Sequence, residues 1–181
     1  MDRIGTLGIA AASVAAVLAS CGEPQQELKS GTMGTNAQVG DVVLRNVFVR
    51  APEDHSYQPG DDAVVQLAMF SRSDRPDALL GVRTSDADEV QLRSDRDCDG
   101  TSETVPRIPV PAEGTVGEPG SVDLTYHLRV VNFSDEVLAG TTVPLTFIFE
   151  NAGETTVEAM VEAGGDGDVP PPTRCPTTTG S

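Results

Sequence analysis

The sequence predicts an all-β domain, a sandwich or Greek-key barrel of roughly eight short strands. Three observations predict it. Short runs rich in Val, Thr and Phe alternate apolar with polar residues. Clusters of Gly, Pro, Asp and Asn separate those runs at short intervals. No stretch sustains the 3.6-residue apolar spacing of an amphipathic helix.

The strands can be taken in chain order. Asp41 to Val49 is β-branched and partly alternating. Ala63 to Phe70 contains VVQLAMF, in which Val65, Leu67 and Met69 share one face, so Met69 is expected in the core. Ala78 to Arg83, Glu89 to Arg93, Val105 to Val110, Val122 to Asn132, Thr142 to Phe149 and Thr155 to Val161 complete the set. The turns between them are read at Gln58 to Asp61, Asp97 to Gly100, Glu118 to Gly120 and Ala152 to Glu154. Asn151-Ala152-Gly153, between FIF and TTV, predicts a tight hairpin.

Both ends of the chain differ from this middle. Residues 1–20 combine Arg3 with a small, apolar, Ala-rich run that is too short to span a bilayer, the form of a secretory signal peptide. It ends in Leu18-Ala19-Ser20-Cys21, which resembles the bacterial lipobox, so Cys21 is the expected lipidation site. Acyl chains there would hold the mature protein to membrane lipid at about 0.8 kcal/mol per buried methylene. The expected place is the extracytoplasmic face of the cell membrane. Residues 21–40 read as a lipid-anchored polar tether and residues 163–181 as a disordered Pro-, Gly- and Thr-rich tail. The domain between them is expected over residues 41–162.

Composition narrows the function. Twelve Lys and Arg face 28 Asp and Glu, a formal net charge of -16. Such a chain repels phosphate backbones, which argues against nucleic acid as a partner. Lys29 is the single lysine, and the bias to Arg is consistent with a GC-rich genome such as that of an actinobacterium. Once Cys21 is lipidated, Cys98 and Cys175 remain, and an oxidising compartment permits a disulfide between them or leaves two free thiols. No nucleophile elbow, phosphate-binding glycine loop or zinc-type Cys/His spacing is present, so the chain is not read as an enzyme.

Three segments carry a family resemblance: LRNVFVRAP (44–52), IPVPAEGTV (108–116) and VPLTFIFENAGETTVEAMV (143–161). Together they resemble the PCu(A)C periplasmic copper chaperones, and within that family the actinobacterial envelope lipoproteins of the LpqE type. The resemblance implies a cupredoxin-like β-barrel. In the chaperones it also implies one Cu(I) held by two His and two Met, drawn from the five-position pattern His-Met, ten residues, Met, twenty-one residues, His-x-Met. Thioether sulfur is soft and selects Cu(I), and imidazole suits copper in either state.

Laid on this sequence, the pattern keeps His127 as its second histidine. It puts Arg93-Ser94 at the first pair, Val105 at the middle methionine and Arg129 at the last. Arginine stays protonated, only donates hydrogen bonds and repels a cation, so Arg93, Val105 and Arg129 mark a degenerate copper site. A carboxylate such as Asp95 or Glu103 could pair with either arginine. His127 then reads as a sheet histidine or as a remaining ligand. His55 is expected in a solvent-facing loop, Met33 in the tether and Met160 near the end of the closing strand.

A second candidate lies in SDRDCDGTSE (94–103). Asp95, Asp97 and Asp99 alternate before Gly100, the first half of a Ca²⁺ loop, with Glu103 able to add an oxygen. Pro106 occupies the place of the bidentate Glu of an EF-hand, so this is either a short, weak Ca²⁺ loop or a solvated acidic hairpin tip. The combined reading is a non-enzymatic binding module of the cell envelope with a protein or envelope polymer as partner. The competing reading is a metal-handling protein, with copper at His127 or Ca²⁺ in the acidic loop.

Overall fold

Alternation along the strands survives into three dimensions. In Thr142–Phe149 the residues Val143, Leu145, Phe147 and Phe149 are buried, and in Glu154–Val161 so are Val157, Ala159 and Val161. The computed structural model describes residues 34–96, 100–117 and 125–164. Those residues form thirteen strands and no helix. In chain order they are β1 (Thr35–Val39), β2 (Val42–Val49), β3 (Ser56–Tyr57), β4 (Ala63–Ser71), β5 (Asp77–Arg83), β6 (Ala87–Ser94) and β7 (Glu103–Thr104). Then come β8 (Ile108–Val110), β9 (Thr115–Val116), β10 (Tyr126–Phe133), β11 (Val137–Leu138), β12 (Thr142–Phe149) and β13 (Glu154–Val161).

The pairing runs β2-β13-β12-β5-β6-β10-β4 and closes because β4 also pairs with β2. This ring of seven is a barrel, and closure removes the edges that an open sheet would expose. β1 pairs with β2, β7 with β6, β8 with β5 and β9 with β4, while β3 and β11 form a separate two-stranded ribbon. The ring's join between β2 and β13 is parallel and short, with Met160 opposite Phe48 and Val161 opposite Val49. β1 lies antiparallel to β2, so Thr35 and Val161 stand at the same end of the barrel.

Closing a barrel needs bends. Asn46 in β2 and Asn132 in β10 adopt φ of 50° and 58° where the strand registers slip or skip, which asparagine tolerates better than other non-glycine residues. The interior is filled by Phe133, Phe147, Leu44, Met69, Leu79 and Ile108 among others, each fully buried. Each such side chain contributes about 1.5–3 kcal/mol of transfer free energy.

Three expectations change. Thr35–Val39, read as tether, is strand β1. Its alternation is hidden in polar residues, but the Gly40–Asp41 turn hairpins it onto β2 and puts Ala37 and Val39 against the core. Of the strand expected from Val105 to Val110 only Ile108–Val110 forms, as β8, and Pro106, which has no N–H to donate, lies between it and the short β7 at Glu103–Thr104. The strand expected from Val122 begins at Tyr126 within the described residues. The Asn151-Ala152-Gly153 hairpin forms as expected, closed by the Phe149 N–H donating to the Gly153 carbonyl at 2.9 Å. Cys21, Met33, Asp97, Cys98, Asp99 and Cys175 lie outside the described residues.

Candidate functional site

Strand register decides which of the singled-out residues meet. On β10 and β6, His127 stands directly opposite Arg93, and Arg129 opposite Gln91. Arg93 in turn stands opposite Thr104 on β7. Opposite and alternate residues share a face, so Arg93, His127 and Arg129 lie together on the outer side of the barrel. Leu92 and Leu128, between them, point into the core.

Val105 does not join that group. Its N–H donates to the Leu92 carbonyl at 2.9 Å, and its side chain packs against the core. Ser94 also turns inward, 1% exposed, and its hydroxyl has no hydrogen-bond partner among the described residues. Three of the positions equated with copper ligands therefore share a face, and two positions of the same pattern do not.

Each guanidinium beside His127 is held by its own neighbours. Arg93 donates from Nε to Ser102 Oγ at 3.2 Å and from Nη1 to Thr104 Oγ1 at 3.0 Å and Gln91 Oε1 at 3.3 Å, and from Nη2 to the Ser102 carbonyl. All four acceptors are neutral oxygens, on β6, on β7 and just before β7. Arg129 reaches the other way, donating from Nε and Nη2 to Asp62 Oδ2 at 3.1 and 2.6 Å. The carboxylate that pairs with Arg129 is therefore neither Asp95 nor Glu103 but Asp62, 67 residues away.

Asp62 also accepts the Asn132 N–H at Oδ1, 2.9 Å away. Its partial burial works against ionisation, but the Asn132 N–H and the Arg129 hydrogen bond and charge outweigh that and hold its pKa below the usual carboxylate value. Arg129 and Asp62 stay 45% and 32% exposed, so their pairing stabilises by no more than about 1 kcal/mol. Its effect is on where Arg129 points.

The two candidate sites turn out to be neighbours. The Asp95 N–H donates to the Thr125 carbonyl at 2.9 Å, which continues the β6–β10 ladder and sets Asp95 at the end of the face that carries Arg93 and His127. Asp95 is buried, and its Oδ2 accepts the Gly100 N–H at 2.9 Å. Glu103 stands opposite Ser94 on β7 and is exposed. Among the described residues no three His, Cys, Asp or Glu side chains gather as a metal-holding group. His55 is exposed in the loop after β2 at φ 64°, Met69 is 1% exposed in the core, and Met160 is 45% exposed on β13, all as expected from the sequence.

Two further features were not anticipated. A groove of about 890 Å³ runs beside Asp62, between the loop after β2 and the start of β4, lined by Arg50, Glu53, Asp54, Tyr57 and Asp61 among others. Burial, the first cause, pushes the Tyr57 phenol up, with Asp61 and Glu162 adding to it and Arg50 opposing it. At the other end of the barrel, a cleft of about 460 Å³ lies between the hairpin tips at Gly40 and Ala152. Buried Asp77 sits in it, accepting the N–H groups of Ala78 at 2.7 Å, Asn151 at 3.0 Å and Ala152 at 2.9 Å. The last two partners are 74 and 75 residues away, beyond the reach of any local pattern.

Comparison with known proteins agrees with this architecture. Lipoprotein LpqE of Mycobacterium bovis is 28% identical over 160 residues, covering 84% of this chain and 86% of its own, and the LpqE of Mycobacterium tuberculosis matches equally. A copper-bound PCuAC domain from PmoF2 superposes with a TM-score of 0.56 at 28% identity, covering 71% of this chain and 98% of its own. The apo form of the PmoF2 domain gives 0.56 at 29%, covering 71% and 94%. The barrel is thus the cupredoxin-like fold of PCuAC domains, and copper is the metal found in such a neighbour. The LpqE-like lipoprotein family model matches residues 42–161, from the first residue of β2 to the last of β13, and the chain belongs to that family.

Proposed function

We propose that the chain is a non-enzymatic binding module of the cell envelope, tied to the membrane through lipid on Cys21, whose copper-type face no longer holds Cu(I) in the manner of the chaperones. The observation that carries this reading is the state of the outer face of β6 and β10. Beside His127, two of the equated positions are guanidiniums, each held by protein oxygens, and neither β6 nor β10 contains a methionine. Without thioether sulfur the soft part of a Cu(I) site is missing, and a guanidinium offers no lone pair. The anchoring part of the reading rests on the lipobox at Leu18 to Cys21 and on the name of the mycobacterial relatives. The domain then extends from β1 to β13, with a tether before it and a tail after it. Its partner is an envelope protein or polymer.

A second reading has its own support. The copper-bound PmoF2 domain shares the barrel, and the register sets Asp95 at the end of the His127 face. A metal-handling role would use His127 for copper, or Asp95, Asp97, Asp99 and Glu103 for Ca²⁺. Native mass spectrometry of residues 22–181, offered Cu(I) and Ca²⁺ separately, decides between them. No stoichiometric adduct is expected. A copper adduct that disappears in His127→Ala restores the chaperone role, and a calcium adduct lost in Asp97→Asn makes the acidic loop the site. Run under reducing and non-reducing conditions, the same spectra show whether Cys98 and Cys175 form a bridge, by a mass difference of about 2 Da.

A further inference from the structure

The described chain ends beside one wall of the groove that Asp62 lines. After β13, the Glu162 N–H donates to the Val49 carbonyl at 2.9 Å, and Glu162 Oε2 accepts the Ala51 N–H at 3.4 Å. A β-carbon on Gly164 would stand 3.5 Å from Ala51 Cβ and 3.9 Å from the Pro52 carbonyl. The backbone therefore leaves β13 alongside residues 49–52, and Ala51 and Pro52 are themselves part of the groove wall. The chain continues from Gly164 as GDGDVPPPTRCPTTTGS, residues 165–181.

We propose that this C-terminal segment docks back into the groove, with Pro170 to Pro172 along its wall and Arg174 against its acidic rim. Three observations support it. The first is the exit: Gly164 already lies against the wall, and Arg174 is ten residues further on, a reach of up to about 33 Å when extended. The second is conformational. A proline run is pre-set as a polyproline II strand and loses little entropy on docking, which is why grooves recognise such runs. The third is charge. Arg174 is the one basic residue of the segment, and Glu53, Asp54 and Asp61 on the rim have no arginine or lysine ion pair among the described residues. Asp166 and Asp168 carry the opposite sign to Arg174, and among the groove residues Arg50 is the one able to pair with them. The inference does not depend on whether the His127 face binds copper.

The test is NMR on residues 22–181 with both cysteines reduced, since a Cys98–Cys175 bridge would itself restrain the segment. The expected result is that Arg174→Glu moves the amide resonances of residues 51–62 and raises their exchange with solvent at least about tenfold. The ¹H–¹⁵N heteronuclear NOE of residues 169–174 should fall toward coil values in the same variant. A groove-side double variant, Glu53→Lys with Asp54→Lys, should release the segment in the same way. Coil-like NOE values for residues 169–174 in the unmodified chain, or groove resonances indifferent to Arg174→Glu, overturn the proposal.

Discussion

Two aspartates do contrasting work at opposite ends of the barrel. Asp77 is 8% exposed and spends its oxygens on backbone N–H groups, two of them in the β12–β13 turn. Asp62 is exposed, takes one backbone N–H and one guanidinium, and lies beside the face that carries His127. The first ties β5 to the β12–β13 turn from a buried position. The second steers a charge at an exposed one. Sequence shows both only as aspartates; burial separates a residue that holds the fold from one that sets the character of a surface.

The sharpest way to break the comparison is Asp77→Ala. It leaves one buried and two half-buried N–H groups without their carboxylate acceptor, so unfolding free energy should fall by about 2 kcal/mol and the midpoint by roughly 6 °C in a thermal melt. A loss under about 1 kcal/mol would mean that water enters the cleft and takes over. Next comes Arg93→Ala, which removes the bonds joining β6 to β7 and to Ser102. A loss of about 1 kcal/mol is expected from urea unfolding, with faster amide exchange at Glu103 and Thr104.

Asp62→Asn should cost about 0.5 kcal/mol at neutral pH. Its signature is the pH dependence. The folded pKa of Asp62 lies below its unfolded value, so its contribution is fully present above the unfolded value of about 3.9 and is lost as pH falls through the folded one. The gap in stability between the native chain and Asp62→Asn should therefore hold down to about pH 4 and narrow as pH falls further, measured by urea titration at each pH. A gap that persists unchanged would show that the Arg129 pair does not depend on charge. The smallest effect is His127→Ala, expected within about 0.5 kcal/mol in the metal-free protein. A larger loss would make His127 a structural residue of the sheet.

Legibility in the sequence divides along the same line. The strands with apolar alternation, β4, β12 and β13, are readable because their inward residues are Val, Leu, Met and Phe. β1 is not, since Thr, Asn, Ala, Gln and Val carry little apolar contrast and its place depends on the turn at Gly40. Pro106 cuts short a strand that apolar content alone starts at Val105. At the site, His127, Arg93 and Arg129 are found by residue type and spacing. Their common face, the inward turn of Val105 and Ser94, and the approach of Asp95 depend on register, which spacing along one chain does not specify. Asp62 and Asp77 escape notice because the partners that join them to other strands lie 67 to 75 residues away.

The short parallel join between β2 and β13 has a consequence for the timing of folding. The ring is completed by Met160 and Val161, at the far end of the domain sequence from the Phe48 and Val49 they meet. A chain emerging N-terminus first from a ribosome or an export channel can form the β1–β2 hairpin early. It cannot close the barrel until Val161 is out, because that contact spans most of the domain. Until then the edges of β2 and β13 stay open, so the interval between synthesis and release is when this protein is most exposed to chaperones and proteases.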